Sequence, residues 1–470
     1  MRVRARGMAA AIGLVLATQA GAQTGARPDE AAFREIYKEL VETNTSASSG
    51  DCTRAASQIA ARLKKAGYPD AALHPFAPKE FPKAGGIVVD YPGADAGLKP
   101  ILLLAHLDVV EAKREDWVRD PFKLTEEDGY FYGRGTSDDK AQAAIWADAM
   151  IRFRQEGYKP KRGIKMALTC GEEGGFPFNG AEYLAQHEKG LIDAAFALNE
   201  GRGGELDDKG NKLFLIVEAG EKVYQDFQLE VTNPGGHSSQ PVPDNAITRM
   251  AEALVRLAKS DTPVTMNDVT RAYFTKMADI RGGEIGDRMR AIVKNPDDKA
   301  ADAELSKNKA WHAQLRTTCV VTMEDAGHAR NALPQRARAN INCRIFPGVP
   351  VAEVHKYLVD TIADPQVTVS DVPPAPTIGP APPLTAEIMA PIEKLTQEMF
   401  GPVPIVPTVA SWGTDGRFLN AAGIPTYGID MLFRDPDFSN IHGLNERVRV
   451  KSLYDDRDFL FKLVKAYAEK

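Results

Sequence analysis

The chain has 470 residues, of which 43% are hydrophobic and 26% charged, and its formal net charge is −6. This length exceeds one typical hydrophobic core, so two domains are expected. The acidic balance and the lack of a basic stripe argue against nucleic acid as a partner, and they suit a site whose carboxylates bind cations.

The first 22 residues read as a signal peptide. Arg2, Arg4 and Arg6 form a basic start, residues 8–17 are mostly apolar, and Ala20-Gly21-Ala22 offers a small-x-small cleavage site before Gln23. The apolar run falls well short of the ~20 residues that span a bilayer, and no later stretch is long enough. The expected product is a periplasmic or secreted protein without a stable membrane anchor. Its formal charge is −9, because the 58 basic residues fall to 55 against 64 acidic ones. An exported chain can pair its cysteines, but the spacing of Cys52, Cys170, Cys319 and Cys343 does not read as a staple framework. Cys170, in an apolar strand, fits a small core residue. Cys319 and Cys343 fall in two strand-like segments able to face one another, and their pairing stays open.

Residues 33–65 carry a helical pattern interrupted near 46–51, and 87–91 and 101–105 read as strands. An amphipathic helix is expected over 137–155, a strand over 164–169, a helix over 181–189 and a strand over 195–198. This alternation predicts an α/β fold with a mainly parallel sheet covered by helices on both faces. Residues 224–231 then alternate like a strand with one exposed face, and a helix follows over 245–259. The charged stretch up to Trp311 shows little apolar periodicity and reads as helical excursions on the surface. Strands over 317–323 and 336–345 and a helix over 351–363 complete a smaller α+β unit. Prolines between 373 and 383 make a stiff connection. A helix over 385–400, a strand over 406–411 and a closing helix then restore the first pattern. The expected organisation is a catalytic domain formed by 23–223 and 365–470, with an α+β lid inserted over 224–364.

His106-Leu107-Asp108 ends the apolar run 101–105. Residues i and i+2 of a strand point to one side, and the carboxyl ends of strands in open α/β sheets are where ligands and metals bind. A carboxylate beside a histidine can hold one ring nitrogen as N–H and leave the other free for a metal. Gly133 to Lys140 is a glycine-bracketed turn that brings Asp138 to a helix start. It lacks the Walker spacing and places acids where an anion would sit, so a cation is the better guest. The adjacent Glu172 and Glu173, on a glycine-rich turn, repel unless a metal or a proton relieves them. One can ligate while the other takes a proton from metal-bound water. Glu200 closes the next strand, so that four successive strand ends deliver His106, Asp138, Glu173 and Glu200. Each signal alone has a plainer reading, such as a capping carboxylate or a solvated loop; their order carries the inference. His442 follows the return to the first domain, and His237 lies on the insert. His74, His187, His312, His328 and His355 stand in exposed or charged contexts and read as surface residues.

His106-x-Asp108, Gly133-Arg134-Gly135-x-x-Asp138-x-Lys140, Glu172-Glu173, Asn199-Glu200-Gly201, Gly236-His237-Ser238-Ser239 and His442-Gly443-x-Asn445-Glu446 together resemble the co-catalytic zinc peptidase family. That family includes aminoacylase, carnosinase, glutamate carboxypeptidase and succinyl-diaminopimelate desuccinylase. The segments 133–140, 315–318 and 441–446 look most similar to its carboxypeptidase S and secreted N-fatty-acyl-amino-acid hydrolase branch. The resemblance implies two zinc ions, one on His106 and Glu200, the other on Glu173 and His442, with Asp138 bridging and Asp108 orienting His106. It further implies Glu172 as general base, His237 stabilising the oxyanion from the lid, and Arg344 clamping a substrate carboxylate. Asn331, Gly413 and Thr414 match further substrate-contacting positions. His with carboxylates also admits Co or Mn. Val109-Val110-Glu111 and Gly174-Gly175 depart from the family pattern without touching a ligand position. The enlarged stretch 262–311 bears on whether the protein is a monomer or homodimer, and on whether His237 serves its own chain or a neighbour's.

The expected activity is hydrolysis of a peptide or N-acyl amide bond next to a free carboxylate, on a small peptide or N-acyl amino acid. The alternatives are a dipeptidase or aminopeptidase that recognises a free amine, and a non-catalytic periplasmic binding protein on the same fold.

Overall fold

The computed structural model describes residues 28–470, and the signal peptide expected over 1–22 lies outside the described residues. The main sheet is mixed. Its centre is parallel, in the order Ile164–Thr169, Ile101–His106, Phe196–Asn199 and Thr426–Gly428. Leu73–Phe76 and Gly86–Tyr91 extend one side antiparallel, and Lys212–Glu221 with its neighbours extends the other. The strand Ile101–His106 is buried along its whole length, which is why its sequence is a near-continuous apolar run. Helices Pro28–Glu42, Cys52–Lys65, Lys140–Gln155 and Val450–Ala468 share the larger core on one face, and Gly180–His187 and Gly416–Ala421 share the core on the other. Cys52–Lys65 starts where Asp51 accepts the Arg54 N–H at 2.9 Å and ends on Arg62, Lys64 and Lys65, complementing its dipole.

A second sheet is antiparallel, in the order Thr318–Ala326, Arg336–Ile345, Val223–Thr232 and Thr368–Asp371. Helices Ala246–Ala258 and Val351–Ile362 cover one face around Phe227, Leu229, Ile341 and Leu358. The other face presents Tyr224, Asp226, Asn340, Asn342 and Arg344. The chain passes from the main sheet into this one through a single residue, Lys222, between strands Lys212–Glu221 and Val223–Thr232. Among the described residues no helix is long and apolar enough to cross a membrane.

Two expectations are corrected. The stretch after residue 262 is not a set of surface excursions. Its helices Asp268–Arg281, Gly283–Lys294, Lys299–Leu305 and Lys309–Leu315 bury Phe274, Met277, Met289 and Leu315 against Phe214, Ile216 and Val406 of the main sheet. The apolar residues are divided among short helices, so no single helix shows a long stripe. The cysteines form two disulfides, Cys52–Cys170 and Cys319–Cys343. Cys319 and Cys343 face each other in the antiparallel register. Cys170 is buried, but it pairs with the first residue of a helix 118 positions earlier, a partner that spacing does not reveal.

Candidate metal centre and cleft

Three parallel strands end at the site. His106 is the last residue of the central one, the Glu172-Glu173 turn follows its neighbour on one side, and Glu200 follows its neighbour on the other. Asp138 arrives differently: it precedes helix Lys140–Gln155 and does not end a strand. The glycines before these acids have specific reasons. Gly135 has φ +82°, and a Cβ there would lie 2.7 Å from a Val109 methyl. Gly171 has φ +98°, and a Cβ would lie 2.0 Å from the Phe178 carbonyl oxygen.

Asp138 joins two groups of ligand atoms. Its Oδ1 lies 3.0 Å from His106 Nε2, which is 3.7 Å from Glu200 Oε2. Its Oδ2 lies 3.1 Å from His442 Nε2, which is 2.9 Å from Glu173 Oε2. In each group, His106–Asp138–Glu200 and Asp138–Glu173–His442, the donor atoms fall within 4.8 Å of one another. On the far side of His106, Nδ1 lies 3.0 Å from the Asp108 carbonyl oxygen and 3.6 Å from Asp108 Oδ1. Asp108 also accepts the Glu173 N–H at 3.0 Å, so it touches both halves of the site.

The electrostatics ask for cations. Burial, then Asp138, pushes the Glu173 carboxyl up to about 7. Burial and Glu200 raise Glu172 well above the carboxylate range. Hydrogen bonds to Asp138 and Glu173 lift His442 to about 10. Crowded carboxylates and two imidazoles, arranged in two groups with one shared oxygen pair, fit two divalent ions of the zinc, cobalt or manganese type.

Two buried carboxyls outside the ligand groups hold this geometry. Glu446 accepts the backbone N–H groups of Ser137 (2.8 Å) and Asp138 (3.2 Å) on one oxygen. Its other oxygen accepts Gly135 N–H at 3.0 Å and Arg134 Nη1 at 2.9 Å. Arg134 also donates to the Gly443 carbonyl at 3.0 Å, fixing the loop on which His442 has φ +60°. Asp415 accepts Thr169 Oγ1 at 2.9 Å and Asn179 Nδ2 at 2.6 Å, clamping the strand end beneath the Glu172-Glu173 turn.

A cleft of about 910 Å³ opens between the sheets, with Glu172, Glu173 and His442 on one wall and Lys222, Arg344 and Arg417 among its other lining residues. A second cavity, about 320 Å³, shares Glu172, Glu173, Trp412, Gly413 and His442 with the cleft and reaches Asp138, Glu200 and Arg434.

The sequence model of peptidase family M20/M25/M40 matches residues 102–466. The chain belongs to that family. It is 30% identical over 383 residues to the human N-fatty-acyl-amino acid synthase/hydrolase PM20D1, covering 79% of this chain and 75% of that one. It is also 30% identical over 315 residues to carboxypeptidase S of Saccharomyces cerevisiae, covering 61% and 54% respectively. Among solved structures it resembles the M20 family metallo-carboxypeptidase Sso-CP2 of Sulfolobus solfataricus (TM-score 0.67, 18% identity, 93% of this chain and 99% of that one). It also resembles human carnosine dipeptidase 1 (TM-score 0.60, 17% identity, 94% and 96%). This M20 chain is therefore a metal-dependent hydrolase, and the fold is the family's main sheet with a separate antiparallel sheet.

The M20 fold brings His106, Asp108, Asp138, Glu172, Glu173, Glu200 and His442 to one place, and Arg344 and Gly413 to the adjoining cleft. His237 and Asn331 are elsewhere. His237 is exposed on a two-residue strand paired with Ala332–Leu333, its Nδ1 2.7 Å from Ser239 Oγ. The Asn331 carbonyl accepts Ser238 N–H. Thr414 is buried: its hydroxyl accepts Asn199 Nδ2 at 3.2 Å, and it lines a cavity of about 10 Å³ behind Glu200, room for a single water. Sequence reading gave no role to Glu446, Asp415, Lys222 or Arg417. Glu446 and Asp415 stood inside or beside recognised motifs, and that adjacency was the available signal.

Proposed function

We propose that this enzyme is a di-zinc exopeptidase or N-acyl-amino-acid hydrolase that cleaves the amide next to a free carboxylate. The observation that carries the reading is Asp138, shared between two His–carboxylate groups beside a cleft lined also by Lys222, Arg344 and Arg417. His106, Asp138 and Glu200 would hold one ion, and Asp138, Glu173 and His442 the other. When bound, such a pair lowers the pKa of a shared water and polarises the scissile carbonyl. Glu172, in the cleft beside Glu173, takes the water's proton and delivers it to the leaving amine. Arg344 holds the carboxylate of the departing amino acid, a role suited to a planar guanidinium. His237 supplies a donor to the oxyanion, from a lid that closes or from a neighbouring chain. A free-amine substrate is disfavoured by Lys222, Arg344 and Arg417 on the cleft wall. Two disulfides and the basic-apolar leader support a periplasmic or secreted location.

The test is hydrolysis of a panel of N-acyl amino acids and of acetylated and free dipeptides, with metal assayed before and after chelation. Chelator-sensitive cleavage of carboxylate-bearing amides, lost in Glu172→Gln, is expected. Cleavage confined to substrates with a free amine would overturn the reading.

A further inference from the structure

Lys222, Arg344 and Arg417 line one stretch of the cleft, and among the described residues none of them has a carboxylate within ion-pair distance. Lys222 is only 3% exposed, and its ammonium has one hydrogen-bond partner, Thr318 Oγ1 at 3.3 Å, leaving donors unused. Arg344 lies over the Tyr224 ring (4.8 Å) and Arg417 over the Phe418 ring (4.4 Å). The acids nearby have other hydrogen-bond donors, while Asp226 still attracts Arg344, and Glu221 and Asp415 attract Arg417. Asp226 accepts Tyr224 OH at 2.7 Å, Asn342 Nδ2 at 2.8 Å and Asn340 Nδ2 at 3.1 Å. Glu221 accepts the backbone and hydroxyl of Thr414.

A buried cation without a counter-ion is costly unless a ligand supplies the charge; Lys222 is the buried one of the three, Arg344 and Arg417 being part-exposed. These three also repel one another: Arg344 acts on Lys222, and Arg417 on Arg344. Burial, then Arg344 and Arg316, holds the Lys222 amine down to about 7. One substrate carboxylate engages Arg344 and leaves Lys222 unmatched, beside an Arg417 that Glu221 and Asp415 attract only from beyond ion-pair distance.

We propose that the departing amino acid is acidic, with Arg344 taking one of its carboxylates and Lys222 with Arg417 the other. This rests on the hydrolase reading above and narrows its substrate class. The second carboxylate belongs to the amino acid, not to the acyl group, because both added cations crowd Arg344.

The test compares N-acetyl-L-glutamate with the neutral isostere N-acetyl-L-glutamine, and N-succinyl-L-glutamine with N-butyryl-L-glutamine, on the zinc-loaded full-length protein. The expected wild-type kcat/KM favours glutamate over glutamine by roughly 10–100-fold. That ratio should fall towards one in Lys222→Met and in Arg417→Gln, whatever happens to turnover common to both substrates. Equal rates in the wild type, an unchanged ratio in both variants, or a charge preference confined to the succinyl group would each overturn the proposal. Binding of the two N-acetyl compounds to zinc-loaded Glu172→Gln, followed by calorimetry, separates this from the hydrolase reading. Selective glutamate binding with no turnover of any amide would leave the anion site standing while the hydrolase reading falls. Equal binding would remove the anion site.

Discussion

Glu446 and Asp138 are 308 residues apart, yet the Glu446 carboxyl accepts the Asp138 N–H at 3.2 Å. Both Glu446 oxygens receive donors: Ser137 and Asp138 on one, Gly135 and Arg134 on the other. Glu446→Gln therefore has no good orientation, because the amide NH₂ must face two N–H groups whichever way it turns. It also leaves the Arg134 guanidinium, 2% exposed, without its counter-charge. Breaking a buried pair in this way costs about 3–5 kcal/mol. The variant should lose that much stability in urea unfolding and bind less metal, because the loops carrying Asp138 and His442 are both tied to this pair.

Asp138 serves both ligand groups whereas His442 serves one. Asp138→Ala should release both ions and abolish turnover, while His442→Ala should weaken chiefly the ion shared with Glu173. Metal content measured after dialysis separates the two cases. Equal loss in both variants would mean that the ions bind only as a pair.

The Lys140 ammonium is fully buried and donates to the Thr43 carbonyl at 2.8 Å. Burial lowers it to about 7, against the opposing pull of Glu446 and Asp108. The folded state then binds fewer protons than the unfolded state between that value and the ordinary lysine range near 10.4. This contribution to stability is complete above about 10.4 and is lost as pH falls towards 7, at up to ~1.4 kcal/mol per pH unit. Lys140→Met should remove it, so the difference in unfolding free energy between wild type and variant should change steadily across pH 7–10 and level off below 7. A parallel offset at every pH would show that Lys140 does not titrate with folding.

The Cys52–Cys170 bridge closes a loop of 118 residues and ends two positions before Glu172. A loop of this length is worth about 4–5 kcal/mol in the chain-entropy account. The double variant Cys52→Ala/Cys170→Ala should lower Tm and also reduce kcat, because the Glu172-Glu173 turn loses its covalent anchor. Cys319→Ala/Cys343→Ala, within the second sheet, should lower Tm with a smaller effect on kcat.

What was legible in the sequence follows from locality. His106 and Asp108 could be read together because a strand places i and i+2 on one side, and Glu173 and Glu200 because they follow buried apolar strands. Asp138 was legible as an acid at a helix start, but its sharing between two histidines needs His442, 304 residues later, and only the family resemblance joined them. The packing of helices after residue 262 onto Phe214 and Val406, and the pairing of Cys170 with Cys52, depend on contacts between distant segments that no local period encodes. Nothing local in the sequence marks Lys222. Its meaning comes from sitting between two sheets beside Arg344.

His237 is exposed and does not line the cleft that holds Glu172. The lid sheet meanwhile ends in an open edge, Thr318–Ala326, with Val320 56% and Met323 70% exposed. An exposed apolar edge of this kind is a template for pairing with a second chain, and the helices after residue 262 pack on the main sheet and not on it. The partner's lid would then carry its His237 to this chain's metals. Mixing two inactive variants by co-expression decides the matter. In a Glu172→Gln/His237→Ala heterodimer, a histidine acting in trans gives one complete site, so about half of wild-type activity returns per dimer. A histidine acting within its own chain gives none, and closure of the lid must then bring it in.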